Sequence, residues 1–305
     1  MILSQILDAT HASEHAVGVG AALTSAASWA VGTILFKGIG ENFSASAMTL
    51  VKSLMSVLLL AVVVIFVGWA SVPSSSLGWL ILSGLIGISA GDTFFFAALR
   101  RLPVHQLVIL MMVAPGITLI MAILFLGEMP SPISWLGIAL ILSGVALTLG
   151  ADLRKNKGPK KASTGLLFGL LSILSMGGSV IIAKIGLGAL PALQATFLRM
   201  AAGLVGMFIV ALARREIRDW LEPLRRDGLK WRFALAVAIV TFGGFWLALF
   251  SVKRLDVSVA NTLLATEPLF TLPLSVFWLR ERPVALAWSG AAVAFPGALL
   301  LALNS

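Results

Sequence analysis

The 305-residue chain contains no cysteine and no tyrosine, only three histidines, and charged side chains at just 11% of its positions. Without cysteine there is no disulfide and no thiolate metal site, and the redox compartment leaves no mark on the chain. The histidines are scattered at His11, His15 and His105, and no P-loop or dinucleotide fingerprint is present. Neither a metal nor an organic cofactor is therefore expected. The shortage of charge excludes an ordinary soluble globule. Hydrophobic residues make up 59% of the chain, mean hydropathy is +1.03, and a water-facing surface cannot absorb so many apolar side chains. A bilayer can, because lipid covers apolar faces. The first 16 residues lack Lys and Arg, so a cleaved secretory leader, which needs a basic start and a short apolar stretch, is not expected. With tyrosine absent, the tryptophans must supply any aromatic belt; Trp69, Trp79, Trp135, Trp231, Trp278 and Trp288 fall near the ends of apolar runs, as interfacial anchors should.

A helix needs about 20 apolar residues to cross the hydrocarbon core. Ten stretches come close to that length: Val17–Phe36, Ala45–Trp69, Leu77–Leu99, Val104–Leu126, Ile133–Leu149, Gly165–Leu187, Leu193–Ala213, Phe233–Phe250, Val257–Leu279 and Val284–Leu303. Breakers such as Val72-Pro73-Ser74, Leu102-Pro103, Leu190-Pro191 and Arg282-Pro283 separate many of them. The division that follows is an N-terminal tail at 1–16, read as a short surface helix or frayed end, a five-helix unit at 17–150, a basic linker at 151–164, and a second five-helix unit at 165–305.

The two units are copies. A shift of 147 residues sets Ser28 on Ser175, Lys37 on Lys184, Thr49 on Thr196 and Lys52 on Arg199. A shift of 153 sets Gly91 on Gly244, Arg101-Leu102 on Arg254-Leu255, Pro115 on Pro268, Glu128 on Glu281, Pro130 on Pro283, Trp135 on Trp288 and Gly144 on Gly297. Chance matches Leu or Ala between apolar sequences; it does not align Pro, Glu, Trp and Gly in one frame. Five spans per copy is odd, so the second copy enters from the opposite side. The fold class expected is an all-α membrane protein of ten transmembrane helices in two inverted five-helix repeats, an architecture suited to alternating access about a site near the midplane.

The formal net charge of +9 does not call for nucleic acid. Numbered alternately, the loops on one side hold Lys37, Arg100, Arg101, the basic linker, the Arg214–Arg232 loop, Arg280 and Arg282, and the other side holds Lys184, Lys253 and Arg254. The positive-inside rule places the richer side in the cytoplasm and both termini outside it, in a cell inner (plasma) membrane.

These features resemble the EamA family of the drug/metabolite transporter superfamily. The resemblance rests on the two five-helix copies, on Pro115…Glu128-Met129-Pro130 and Pro268…Glu281-Arg282-Pro283, each followed by Trp and Gly, and on the basic residue early in the second helix of each copy, Lys52 and Arg199. It covers nearly the whole chain and extends to YddG-type amino-acid exporters. It implies a carrier, not an enzyme, that exports amino acids or related small metabolites, with a multidrug efflux carrier of the same fold as the alternative. Its partners would be a small-molecule substrate and membrane lipid. Many family members are drawn with both termini in the cytoplasm, which the loop charges of this chain oppose.

Ionisable groups inside a span are costly, and they face a cavity or a partner. Lys52 and Arg199 lie about a third of the way into their spans, where they either snorkel to the interface or attract a substrate carboxylate. Asp92 and Glu267 lie deeper, and the repeat sets them against Phe245 and Ala114, so neither has a charged symmetry mate. Each is either half of a buried ion pair or a carboxylate that binds an amine or a proton. Pro115 and Pro268 kink their helices, statically or as hinges. Trp29, Trp246 and Met111 are mid-span, in core or lipid contact or lining an apolar cavity. Gly87-Ile88-Ser89-Ala90-Gly91 has the G-x-S-x-G form of a hydrolase elbow, but it falls inside a helical run and Ser89 is matched by Phe242 in the other copy. An intramembrane serine hydrolase is accordingly rejected. A reporter fused after Ser305 should read out a non-cytoplasmic compartment; cytoplasmic signal would overturn the orientation.

Overall fold

The computed structural model describes residues 2–111, 113–127, 160–225, 228–281 and 285–303, with scattered positions between 131 and 147. Every regular element among the described residues is helical. In chain order they are α1 (Ile2–Ile39), α2 (Ala45–Val67), α3 (Ser74–Leu99), α4 (Val104–Met111), α5 (Ala114–Leu126), α6 (Lys160–Leu187), α7 (Ala192–Arg214), α8 (Leu229–Arg254), α9 (Val257–Leu264), α10 (Glu267–Leu279) and α11 (Ala285–Leu303). The boundaries follow local chemistry. Ser44 accepts a hydrogen bond from the Ala47 amide at 3.1 Å to cap α2, Pro73 and Pro191 precede α3 and α7, and Gly68, at φ +95°, ends α2. Large apolar side chains cover the outer surface, Ile65, Phe66, Phe125 and Phe277 among them, as lipid contact requires.

Residues 2–16 are helical and continue into the first span as α1, 38 residues long. The fourth and ninth segments are not single helices but pairs, α4 with α5 and α9 with α10. Seven segments among the described residues are long and apolar enough to cross a membrane, α4 with α5 counting as one of them, so the number ten is not reached there. The fifth segment (133–149) and the basic linker lie largely outside the described residues, and Glu128 lies outside them entirely.

The repeat reappears as geometry. Lys37 donates from Nζ to the carbonyls of Leu99 (2.5 Å) and Leu102 (2.7 Å), while Lys184 donates to those of Val252 (2.5 Å) and Leu255 (3.1 Å), the equivalent atoms of the other copy. In each case a cation closes the exposed carbonyl end of a helix. Ser25 Oγ donates to the Gly244 carbonyl at 2.8 Å, and Ser172 Oγ to that of Gly91 at 3.0 Å. These last bonds cross between copies: α1 lies along α8, and α6 along α3. At one level of this crossing the small residue changes sides. Gly87 of α3 leaves room for Ser179 of α6, whereas Gly32 of α1 leaves room for Val240 of α8. Both crossing helices also carry a stretch of wider π-turns, Leu85–Gly91 and Ile239–Trp246, a local rewinding that concentrates at functional sites.

Two charged contacts tie elements together. Glu281, just past α10, accepts from the Val104 amide (2.9 Å), the His105 amide (3.2 Å) and His105 Nδ1 (2.8 Å). One carboxylate thus caps the amide end of α4 in the other copy. Burial pushes the Glu281 carboxyl up, but the donors from His105 and the two amides outweigh it and hold it below the usual carboxylate range. Deeper in, Lys52 of α2 pairs with Asp92 of α3 at 2.5 Å, both essentially inaccessible. Lys52 also lies 4.2 Å from the centre of the Phe245 ring, and Arg199 acts on Asp92 through space. Sequence numbering alone allowed Lys52 to snorkel; the structure buries it.

Glu281→Ala should lower the melting temperature in detergent, with a loss of about 0.5–2 kcal/mol, as for other lost helix caps. Because the folded carboxyl is held low, that stability is present above the unfolded carboxylate value and is lost as pH falls through the folded one. The wild type should therefore lose its advantage over Glu281→Ala in acid; an unchanged gap across pH would refute the cap. For the buried pair, Asp92→Asn should cost about 3–5 kcal/mol, because it strands two cations, Lys52 and Arg199. Lys52→Met should cost less, since Asp92 keeps Arg199. Equal melting temperatures for the two variants would refute this ordering.

Candidate substrate cavity

The paired helices position the cavity. Proline has no amide hydrogen, so Pro115 cannot donate to the Met111 carbonyl, nor Pro268 to that of Leu264. Each helix accordingly breaks two residues earlier than the proline and restarts with the proline in its first turn: α4 ends at Met111 and α5 begins at Ala114, α9 ends at Leu264 and α10 begins at Glu267. Tighter bonds bridge the gaps, Val113 to the Leu110 carbonyl (3.1 Å) and Thr266 to that of Leu263 (3.1 Å). The prolines are thus restart points rather than kinks within continuous helices. Non-helical backbone at membrane depth is tolerated where it is enclosed by protein or lines a cavity.

A cavity of about 190 Å³ adjoins both breaks. Its wall is built from symmetry pairs: Trp29 with Met176, Phe95 with Ala248, Val108 with Asn261, Met111 with Leu264, and Ala114 with Glu267. The cavity therefore sits on the axis relating the two copies. Arg199 joins the wall, held by a bond from its Nη2 to Ser179 Oγ at 3.0 Å. Glu267, in the first turn of α10 where a carboxylate is favoured by the helix dipole, accepts from Thr33 Oγ1 at 3.2 Å.

Of the residues singled out from sequence, Trp29, Met111, Arg199, Glu267 and Pro268 line this cavity together. Lys52 and Asp92 do not; they form the ion pair beside it, with Phe245 between Lys52 and the cavity wall. Trp246 lies outside the lining and packs edge-on against Phe242 and Phe250. Pro115 is in the equivalent restart on the α5 side. Ser89 is committed to packing: its hydroxyl donates to the Gly203 carbonyl of α7 at 2.8 Å. Sequence reading missed Asn261, Ser179, Met176 and Phe245. The repeat held a signal for two of them, since Phe245 and Met176 are the mates of Asp92 and Trp29, but nothing in one dimension says that these positions face a common space.

Comparison with known proteins gives the same outline. A solved structure superposes with a TM-score of 0.67 across 96% of this chain and 97% of its own, at 18% identity, which is a likeness of fold. An uncharacterized transporter of Bacillus subtilis, YwfM, is 31% identical over 157 residues, 51% of this chain and 52% of its own. A second from that organism, YxxF, is 28% identical over 132 residues, 43% and 42% respectively. The chain thus spans about half the length of the curated relatives it matches. The EamA-like transporter family model matches residues 16–150 and again 163–303, one match per copy, and the chain belongs to that family.

Proposed function

We propose that the chain is a secondary transporter that exports small metabolites, amino acids foremost, across the inner membrane by alternating access of its two copies. The observation that carries this reading is the position of the cavity on the symmetry axis, between two equivalent helix breaks. Two similar copies offer two similar-energy arrangements, and exchanging their roles moves the opening from one face of the membrane to the other. Membership of the EamA-like family supports transport as the activity. The cavity volume of about 190 Å³ is below the ~300–1,000 Å³ typical of pockets for drug-sized ligands. That favours a metabolite over the multidrug alternative.

Within this mechanism Arg199 offers a fixed positive charge, and Glu267 a carboxylate able to accept an ammonium or a proton. Trp29, Met111 and Phe245 supply apolar wall. Lys52 and Asp92 hold α2 to α3 beside the site. Purified protein in proteoliposomes should move at least one labelled amino acid or related metabolite from a panel tested with and without a pH gradient. Glu267→Gln should abolish the pH dependence of that flux while leaving the protein folded in the membrane. No flux of any solute would defeat the carrier reading, and pH dependence surviving in Glu267→Gln would remove the proton role.

A further inference from the structure

The wall of the cavity is symmetric in shape and asymmetric in polarity. Where the first copy presents Val108 and Ala114, the second presents Asn261 and Glu267. The same bias governs the basic pair: Arg199 lines the cavity, while its mate Lys52 is paired with Asp92 outside the wall. Every polar group so placed comes from the second copy, so symmetry of architecture does not account for them.

Two of these groups are unfinished. Arg199 Nε and Asn261 Nδ2 are buried donors with no acceptor among the described residues. Buried donors without partners are rare and destabilising, and each calls for an explanation. Arg199 is almost inaccessible; among the described residues its side chain bonds the Ser179 hydroxyl through Nη2, and Nε is left without an acceptor. Two orphan donors in one cavity, one of them cationic, are satisfied by a carboxylate, whose two oxygens offer several acceptor sites. Glu267 lines the same cavity, holds a single bond from Thr33, and forms no ion pair among the described residues. It is the acceptor for a cationic group. The rest of the wall, Trp29, Phe95, Met111 and Met176 among it, is apolar apart from the Trp29 indole N–H and the Ser179 hydroxyl already bonded to Arg199.

On the carrier reading above, we infer that the cavity takes a zwitterion whose carboxylate and ammonium are both unblocked. Asn261 acts with Arg199 as the specificity-determining pair for the carboxylate, and Glu267 receives the ammonium. The side chain that remains is apolar. An organic acid would leave Glu267 unpaired against apolar wall, and an amine would leave Arg199 and Asn261 unsatisfied.

The test is calorimetric titration of the full chain in lipid nanodiscs with L-leucine, L-methionine and L-phenylalanine, each also as its carboxamide and its N-acetyl derivative. At least one free amino acid should bind, and blocking either end should weaken it on the order of tenfold or more, because a site built to bond a polar group rejects analogues that lack it. Asn261→Val, the residue type already present at the Val108 mate, should lose the discrimination against the carboxamide and retain that against the N-acetyl form. Glu267→Gln should do the reverse. A melting curve confirms that each variant is folded; if one is not, the panel on the unmodified chain still decides the substrate class. Equal binding of free and blocked forms overturns the inference, as does carboxamide discrimination that survives in Asn261→Val, or no binding by any of the three amino acids. Flux of a different solute without amino-acid binding sinks this inference and leaves the carrier reading intact, whereas binding without flux does the opposite.

Discussion

In hydrocarbon, a backbone amide or carbonyl without a partner costs several kcal/mol, and this constraint organises the whole molecule. It forces every described span to be helical, and it permits the helix to stop only where protein or a cavity receives the loose ends. Both stops occur at equivalent points, immediately before Ala114-Pro115 and Glu267-Pro268, and the cavity adjoins both. The helix ends that cannot reach water are closed by side chains brought from elsewhere: Lys37 and Lys184 on carbonyl ends, Glu281 on an amide end. Each of these closures joins elements distant in sequence, so satisfying the backbone also builds the tertiary structure.

The crossing of the copies follows from the same economy of small residues. α1 lies on α8 and α6 on α3 because Gly, Ser and Ala let backbones approach, and the exchange of Gly32–Val240 for Gly87–Ser179 shows that the sum of the two sizes matters more than which helix is small. On the proposed alternating-access mechanism, this interface must be rigid enough to exclude lipid and must still accept two arrangements. The π-turn stretches in α3 and α8 lie at that crossing. One of them ends at Gly91, directly before Asp92, and the equivalent stretch in the other copy holds Phe245; Lys52 touches both Asp92 and Phe245.

The polarity of the cavity comes from departures from the symmetry. Asp92, Asn261 and Glu267 each replace an apolar mate. Asp92 neutralises Lys52 and leaves Arg199 as the cation of the cavity wall, so an apparently structural ion pair shapes the field inside the cavity.

The amino-acid sequence by itself determined the membrane class, the duplication and the family, because hydropathy and the spacing of Pro, Glu and Gly are one-dimensional quantities that the bilayer and the helix read directly. It also marked Arg199 and Glu267, since charge inside an apolar run is conspicuous. Only the tertiary structure separated Lys52 and Asp92, which lock helices, from Arg199 and Glu267, which line a cavity, and only there did Asn261 emerge. The difference is physical: burial in a span is set by composition, whereas the face a helix turns towards the axis depends on packing against helices 81 to 219 residues away in sequence. For the same reason the proline positions were legible and their consequence was not. A missing amide predicts a disturbed helix, but whether it bends or breaks depends on what surrounds the exposed carbonyl.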